Sequence, residues 1–293
     1  MSSITRLNDE CIRCLINKYT VNYPEYADKT TILEYTQNVL RILSEASHET
    51  SAPELVAEIK NLKEKYFGIK EDFSKEKVLF NNLALSVEKD TENKIHQSRT
   101  PLKTAVRYAM LGNYIDFAAL EKIDETDFLK QLEKAEDITV NAEEFLQFET
   151  ELKSAKELVY LTDNCGEIVF DKLLIKTIMK LYPDININVI VRGFPAINDV
   201  TLEDAVQTGL TDIVNVTGNG TAIAGTSLKH ISKEALDLIE NADIIISKGQ
   251  GNFETLRLCN KNVYYMFLCK CKMFAQRFGT DMFSGVFIND LRM

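Results

Sequence analysis

Histidine and proline are scarce in this sequence and tryptophan is absent: the 293 residues include three histidines and five prolines. The histidines, His48, His96 and His230, lie far apart and outside the polar loops described below. Catalytic triads that use histidine and the common zinc hydrolase sites are therefore poor candidates, because both need imidazole as a base or a ligand. We expect the three histidines to be surface or turn residues.

Long apolar runs and an excess of basic residues are also missing. No stretch approaches the roughly 20 apolar residues needed to cross a bilayer, and the N-terminus, MSSITRLNDECIRC, lacks the apolar core of a signal peptide. The formal net charge is -10, so no cationic surplus is available to displace counterions from nucleic acid. We expect a cytoplasmic protein that binds neither membranes nor nucleic acid. The negative net charge does not exclude a small anionic substrate, because a local site can be positive in an acidic protein.

Familiar nucleotide-binding and nucleophile motifs are absent as well. The sequence has no G-x-x-x-x-G-K-[ST] loop and no G-x-S-x-G elbow. Gly249-Gln250-Gly251 lacks the third glycine of a dinucleotide fingerprint and follows a late strand, which argues against a nicotinamide cofactor. A haloacid-dehalogenase arrangement would need a second aspartate two residues after Asp163, where the sequence has Cys165.

The two halves of the chain follow different patterns. Residues 1–155 are rich in Glu and Lys and repeat apolar residues at helical spacing, with helices predicted to begin near Ser51 and Thr100. In residues 156–293, short β-branched runs alternate with helical patterns, which is typical of a parallel sheet buried on both faces. The sequence therefore predicts an α/β protein with a helical N-terminal domain and a mostly parallel sheet after it. The predicted strands are Leu158–Leu161, Ile187–Val191, Ile213–Val216, Ile244–Ile246 and Val263–Leu268.

Polar loops that contain glycine follow three of these strands. They are Asp163–Glu167, Arg192–Thr201 and Ser247–Glu254. In doubly wound sheets, ligands bind outside the carboxyl ends of the strands, so we expect the three loops to meet at one edge. Together they offer carboxylates, carboxamides, one lysine and flexible glycine backbone.

This set of groups suits a hard divalent cation together with a phosphate. Aspartate and asparagine oxygens are ligands that Mg²⁺ and Mn²⁺ accept. Helices that begin near Gly166 and Thr201 would aim free N–H groups at the same point, and Lys248 would neutralise phosphate charge. The alternative is structural: Asp or Asn after a strand commonly caps a helix, and glycines permit tight turns. Spacing alone leaves both interpretations open.

The motifs resemble those of the damage-control phosphatase family, also called the acidic-residue methyltransferase-1-like family, in its smaller, prokaryotic-type branch. The residues that carry the resemblance are Asp163-Asn164-x-Gly166-Glu167, Arg192-Gly193-x-Pro195-x-x-Asn198-Asp199-x-Thr201 and Ser247-Lys248-Gly249-Gln250-Gly251-Asn252-Phe253-Glu254. In the helical half, Pro101-Leu102 through Gly112-Asn113-Tyr114-Ile115-Asp116-Phe117 is similar to the family's N-terminal motif. The resemblance spans most of the chain. Cys165 departs from the small residue, usually alanine, that the family has there.

The resemblance implies a helical part packed on a Rossmann-like α/β part. It also implies metal-dependent hydrolysis of small phosphate monoesters, such as sugar phosphates or related damaged metabolites. The expected cofactor is a divalent metal ion, with Mg²⁺, Mn²⁺, Co²⁺ and Ni²⁺ as candidates. The catalytic residues carried over are Asp163, Asn164, Asp199 and Glu167; the first three would hold the metal, and Glu167 would orient a water. Phosphate or substrate would be bound by Asn113, Asp116, Lys248, Gly249, Gly251 and Asn252.

Three alternatives stay open beside this hypothesis. Either a bound water or Asp163 itself attacks phosphorus, and water is favoured because a metal-coordinated carboxylate is the weaker nucleophile. Methyl transfer from S-adenosylmethionine to acidic side chains is also attributed to the family, but no glycine-rich loop of the adenosyl-binding kind follows the first strand. The third is a non-catalytic metal or metabolite sensor on the same fold. Neither the individual substrate nor the oligomeric state follows from the sequence.

Six cysteines are present, and in a cytoplasmic setting we expect thiols or metal ligands rather than disulfides. Cys11 and Cys14 form a CxxC on a predicted helix, and Cys269 and Cys271 follow the last predicted strand. Four thiolates would make a second, structural metal site, holding zinc or iron, if the two ends of the chain meet. The alternative is that these cysteines serve as small buried hydrophobes.

Overall fold

The computed structural model describes residues 7–114, 130, 132–270 and 272–293. In the first half, the described regular elements are helices, with one 3-10 turn at Ala135–Asp137. Within the described ranges, no helix combines the length and the apolar character needed to cross a bilayer. The helices are α1 (Asp9–Tyr19), α2 (Lys29–Glu45), α3 (Ala52–Phe67), α4 (Ser74–Gln97), α5 (Pro101–Gly112) and α6 (Ala142–Leu152).

Local sequence signals set the starts of α3 and α5. Ser51 precedes α3, and its backbone N–H donates to Oε2 of Glu54 at 2.6 Å, as in a capping box. Pro53 lies in the first turn, where its missing N–H costs nothing. Pro101 opens α5 in the same way, and α5 ends at Gly112. Both predicted helix starts are confirmed.

The second half alternates strands with helices. Its elements are β1 (Glu157–Leu161), α7 (Glu167–Leu181), β2 (Asn186–Val191), α8 (Leu202–Gln207), β3 (Asn215–Gly218), α9 (Lys233–Asn241), β4 (Ile244–Lys248), α10 (Gln250–Leu256), β5 (Val263–Leu268), α11 (Lys272–Phe278) and β6 (Gly285–Asn289). The strand order is β3-β2-β1-β4-β5-β6. Strands β1 to β5 are parallel, whereas β6 is antiparallel to β5. The predicted α/β class with a mostly parallel sheet is confirmed.

Strand boundaries differ from the predictions at three places. β4 continues two residues past Ile246, through Ser247 and Lys248. β3 begins at Asn215, because Ile213 lies in the turn that precedes it. No predicted strand corresponds to β6, whose few apolar residues gain their partner only from the edge of β5. The other three predicted strands are confirmed to within one residue.

The core of the sheet includes helices from both halves of the chain. One face packs in a single buried cluster with α4, α5, α6 and α7, and this cluster joins Leu102 and Val106 to Leu158, Tyr160 and Ile246. The opposite face packs on α9, α10 and α11. Helices α1, α2 and α3 have a separate small core. A division into domains of residues 1–155 and 156–293 stays a prediction.

The strand order places the polar loops. Moving outward from β1, one neighbour is β2 and the other is β4, so the order reverses between β1 and β4. In open α/β sheets, such a reversal opens a crevice at the carboxyl ends of the strands, where ligands bind. The loops after β1, β2 and β4 all begin at this edge.

Candidate active site

Backbone pairing joins the loops that follow β1 and β2. The amide of Val200 donates to the carbonyl oxygen of Asp163 at 2.8 Å. Asn164 and Asp199 form an isolated antiparallel bridge in the same connection. The pairing brings the side chains of Asp163, Asn164 and Asp199 together at the carboxyl edge of the sheet.

Asp163 is almost fully buried and lies within a set of donors. Its Oδ2 accepts a hydrogen bond from Nδ2 of Asn113 at 3.0 Å and another from Nδ2 of Asn164 at 2.7 Å. Its Oδ1 lies 3.7 Å from Nη2 of Arg192, which is an ion-pair distance. Only Oδ1 therefore keeps room for a further ligand.

The electrostatic surroundings of Asp163 are crowded with negative charge. Burial raises the pKa of this carboxyl well above its usual range, and the nearby charges of Asp199 and Glu167 raise it further. Arg192 and Lys270 act in the opposite direction. Neighbouring carboxylates disfavour each other's charged form. A cation near Asp163 and Asp199 would therefore relieve the repulsion between them.

Asp199 and Asn164 are each held by one neighbour from the second loop. Oδ2 of Asp199 accepts a hydrogen bond from Nε of Arg192 at 2.6 Å. Oδ1 of Asn164 accepts one from Nδ2 of Asn198 at 2.9 Å, which directs this oxygen away from Asp163 by fixing the amide orientation. An amide oxygen has two lone pairs, so Asn164 keeps one acceptor position.

Lys248 lies inside the protein rather than at the mouth of the loops. Its Nζ donates to Oε1 of Glu167 and to Oδ1 of Asp171, each at 2.6 Å, and to the carbonyl oxygen of Ala109 at 2.8 Å. The side chain is fully buried. Three bonds use all three protons of an ammonium group, so this geometry does not offer Lys248 to a phosphate.

Glu167 is equally enclosed. Its Oε1 accepts a hydrogen bond from Lys248. Its Oε2 accepts hydrogen bonds from Nδ2 of Asn113 and Nδ2 of Asn164, both at 2.9 Å. It is fully buried. These contacts place Glu167 behind the site, where it orients two amides. That it orients a water stays a prediction.

Asn113 reaches the site from the end of α5. Its Nδ2 is shared between Asp163 and Glu167, and its Oδ1 accepts the backbone N–H of Leu268 at 3.2 Å. It therefore ties the helical half to both β1 and β5. Asp116, which the sequence also assigned to substrate, lies outside the described residues.

The third loop contributes backbone rather than charge. Gly249 has φ +78°, and a Cβ atom at this position would overlap Oδ2 of Asp163. Gly251 packs against the carbonyl oxygen of Ala224 so closely that a Cβ atom would overlap it. Asn252 is fully buried, and its Nδ2 donates to the carbonyl oxygen of Lys248 at 2.7 Å.

The N–H groups of the two residues that precede the predicted helices bind within the protein, and the prediction that the first helical turns aim free N–H groups at a ligand stays a prediction. The N–H of Gly166 donates to Oδ1 of Asn81 at 2.6 Å. The N–H of Thr201 donates to Oδ2 of Asp204 at 2.8 Å, in a capping box. Both donors are used within the protein and are not available to an anion.

Comparison with known proteins agrees with this arrangement of loops. The family model described as the damage-control phosphatase ARMT1-like domain matches residues 7–286. This chain belongs to the damage-control phosphatase family. The resemblance carried by the three loops is therefore confirmed.

Two curated members of the damage-control phosphatase family and one solved structure are similar along nearly the whole chain. Damage-control phosphatase PH1575 of Pyrococcus horikoshii is 30% identical over 273 residues, which cover 91% of this chain and 92% of that protein. A damage-control phosphatase of Archaeoglobus fulgidus is 29% identical over 285 residues, covering 94% and 96%. The crystal structure of the Pyrococcus protein, described as a DUF89 family protein, matches with a TM-score of 0.77 at 25% identity, over 97% of this chain and 99% of that chain.

In this damage-control phosphatase family member, the groups around Asp163 fit a divalent cation. Asp163, Asn164 and Asp199 supply oxygen donors. Burial and then the charges of Asp199 and Glu167 raise the pKa of Asp163, and a cation would offset both effects. Among the described residues, no three or more His, Cys, Asp or Glu side chains form a metal-binding group. A cation here would use the Asn164 amide together with water and substrate oxygens, as Mg²⁺ commonly does.

The two ends of the described chain meet, as the second metal hypothesis requires. Nδ2 of Asn8, which caps α1, donates to Sδ of Met273 in α11 at 2.8 Å. Cys14 is exposed, Cys11 is half-buried and Cys269 is buried. Cys271 lies outside the described residues. A structural metal at Cys11, Cys14, Cys269 and Cys271 therefore stays a prediction.

Two buried residues of the site were missed by sequence reasoning. Asp171 lies four residues after Glu167 in α7, so both carboxylates lie on one helix face, and this spacing would have indicated a shared partner. Arg192 stands in the quoted second loop without an assigned role. Its place in the same loop as Asp199 was the available signal.

Proposed function

We propose that this protein is a metal-dependent phosphatase that hydrolyses monoesters of small phosphorylated metabolites. The observation that carries the proposal is the meeting of Asp163, Asn164 and Asp199 at the switch point of a parallel sheet, in a chain that belongs to a phosphatase family. Relatives named damage-control phosphatase support hydrolysis of a phosphate ester. We infer the metal dependence from the oxygen donors around Asp163, and the substrate class from the family.

Asp163, Asn164 and Asp199 would hold the divalent ion, with Mg²⁺, Mn²⁺, Co²⁺ and Ni²⁺ as candidates. The chemistry supplied by a bound ion is Lewis-acid stabilisation of charge on the phosphoryl oxygens. The surrounding residues orient these donors: Asn113 fixes Asp163, and Glu167 fixes both amides. Preorganised donors of this kind avoid a reorganisation cost when charge develops.

A water molecule, rather than Asp163, is the proposed nucleophile. Oδ2 of Asp163 is held by two amides and lies against Gly249, so the carboxylate has little freedom to approach phosphorus in line. The water oxygen forms the new bond to phosphorus, the ester P–O bond breaks, and the leaving oxygen takes a proton to become an alcohol. No phosphoryl-enzyme accumulates on this route.

Hydrolysis of p-nitrophenyl phosphate tests the proposal directly. Wild type, Asp199→Ala and the surface control Asp237→Ala are assayed with each candidate metal and with EDTA. Asp237 pairs only with Lys233 in the described surroundings, on the outer side of α9. We expect turnover that needs a metal, is unchanged in Asp237→Ala, and falls by about 10²–10³-fold in Asp199→Ala.

Two further readouts separate the alternatives. Acid-quenched enzyme analysed by mass spectrometry should carry no phosphoryl group, whereas a phosphoryl mass increment at Asp163 would contradict the water route. Full turnover in EDTA would contradict the metal dependence. Absence of turnover in all metals and with a panel of phosphometabolites, in folded protein, would leave a sensor. Methyl transfer from labelled S-adenosylmethionine would favour the second enzyme class.

A further inference from the structure

The guanidinium group of Arg192 is only partly used by its neighbours. An arginine has five N–H donors, one on Nε and two on each terminal nitrogen. Nε donates to Asp199 at 2.6 Å, and Nη1 donates to Oγ1 of Thr226 at 3.3 Å and to Oδ1 of Asn252 at 3.2 Å. Both remaining N–H groups are on Nη2.

Nη2 has no hydrogen-bond partner among the residues that the structure describes. The side chain of Arg192 is 1% exposed, so bulk water does not satisfy these donors. Leaving a buried charged donor unsatisfied is costly, so such a group needs a partner, which can be a ligand, an ion or an ordered water. Oδ1 of Asp163 lies 3.7 Å from Nη2, which is within ion-pair range but too long for a hydrogen bond.

This position makes Arg192 part of the candidate metal site. Nε of the group donates to Asp199 and Nη2 lies 3.7 Å from Oδ1 of Asp163, so Arg192 contacts both carboxylates that are expected to share a cation. Any phosphoryl group that binds beside those carboxylates would lie next to Nη2. Lys248, the cation that the sequence favoured for this task, has its three protons in other bonds.

The orientation of the guanidinium plane is fixed before a ligand arrives. Asn252, which accepts from Nη1, is itself held by the carbonyl oxygens of Thr162 and Lys248. Thr226, the other acceptor, is held by Oγ1 of Thr255 through its backbone N–H at 2.8 Å. Three bonds at defined angles match the rigid fork of arginine and cannot be reproduced by a lysine.

We propose that Nη2 of Arg192 donates hydrogen bonds to a phosphoryl oxygen of the substrate, while Nε of the same group holds Asp199 in place. The proposal deepens the phosphatase function and rests on it for the substrate class. It assigns a single guanidinium to both the phosphate and a proposed metal ligand. Arg192 is therefore a substrate-binding residue as well as a positioning residue.

The test compares Arg192→Lys with Arg107→Lys. Arg107 is a half-buried arginine of α5 that donates to the carbonyl oxygen of Ile138, remote from the three loops. Both variants are titrated with Mg²⁺ alone and then with inorganic phosphate at saturating Mg²⁺, by calorimetry. Charge-assisted hydrogen bonds are about twice as strong as neutral ones. We expect phosphate affinity to fall about tenfold or more in Arg192→Lys and to stay unchanged in Arg107→Lys.

A purely structural role predicts a different result. If Arg192 served only Asp199, Arg192→Lys would weaken Mg²⁺ binding, yet phosphate affinity at saturating Mg²⁺ would equal that of wild type. That outcome would overturn the proposal. Should Arg192→Lys not fold, Thr226→Val removes one anchor of Nη1 and leaves the arginine in place. It should weaken phosphate binding about threefold, and unchanged binding would overturn the proposal equally.

Turnover of p-nitrophenyl phosphate by wild type is recorded in parallel. Its absence would count against the phosphatase function. The phosphate titration would still report on Arg192, because binding of the anion does not require hydrolysis. The two failures are therefore distinguishable in one set of samples.

Discussion

Gly249 brings the backbone after β4 against the carboxylate of Asp163. Its φ of +78° lies in the left-handed region that glycine adopts at little cost, and the space that a side chain would take is filled by Oδ2 of Asp163. The carboxylate is thus confined between this backbone and the amides of Asn113 and Asn164. The orientation of the Asp163 carboxylate therefore depends on the absence of a side chain at Gly249.

Gly249→Ala should therefore damage the site more than the backbone conformation alone explains. With ψ 159°, Gly249 lies in a region that is essentially restricted to glycine, where another residue costs about 1–3 kcal/mol, and displacement of Asp163 adds to it. We expect lower stability in urea and at least a roughly 10²-fold loss of metal-dependent turnover. Gly68→Ala is the control, since Gly68 has φ +64° and a Cβ atom added there would meet no other atom within 4 Å. Equal effects of the two substitutions would contradict the close approach.

The positions of some site residues could be predicted from the sequence, and those of others could not. Asp163, Asn164 and Asp199 were predictable as neighbours, because parallel strands end at one edge. Lys248 was not, because β4 continues through it. Side chains alternate along a strand, so Lys248 shares the face of Ile244 and Ile246, under α5 and α7. Because β4 is two residues longer than predicted, Lys248, which the sequence assigned to phosphate, is instead buried and bonded to Glu167.

At the scale of elements, α4 supports two helix starts of the α/β half. Asn81 accepts the N–H of Gly166, before α7, and its Nδ2 donates to Oδ1 of Asp204 at 3.0 Å and to Oε1 of Gln207 at 2.9 Å. Lys77, one turn earlier, pairs with Asp204 at 2.6 Å. These partners lie more than 80 residues apart in the chain, so no local pattern predicts them, whereas the caps themselves were predictable.

Asn81→Ala should destabilise the protein and loosen the loop after β1. It removes three hydrogen bonds and leaves the buried N–H of Gly166 without its acceptor, which costs about 1–3 kcal/mol. Asn82→Ala is the matched control, because Asn82 is exposed and accepts one bond, from Nε2 of Gln207. We expect an effect within about 0.5 kcal/mol there. Urea unfolding measures both, and similar midpoints for the two variants would contradict a supporting role for Asn81.

At the scale of the whole molecule, the helical half completes both the core and the site. Helices α4, α5 and α6 share one buried cluster with the sheet, so the change of pattern near residue 155 does not coincide with a gap in the core. Asn113 supplies a site donor from α5. The change of pattern was readable from local periodicity, but the shared core depends on how remote surfaces pack, which periodicity does not encode.

Residues 156–293 alone should therefore not fold cooperatively. Burial of one leucine- or valine-sized side chain contributes about 1.5–3 kcal/mol, and Leu102, Val106 and Met110 are among several such residues that the fragment would lack. Their loss is comparable with the whole net stability of a typical domain, about 5–15 kcal/mol. Calorimetry of the fragment should show no sharp transition, and adding residues 1–155 should restore one. The control is the full chain cleaved at an engineered site near residue 155, which should remain associated and folded. A fragment that melts sharply alone would instead support two independent domains and would contradict the argument from the shared core.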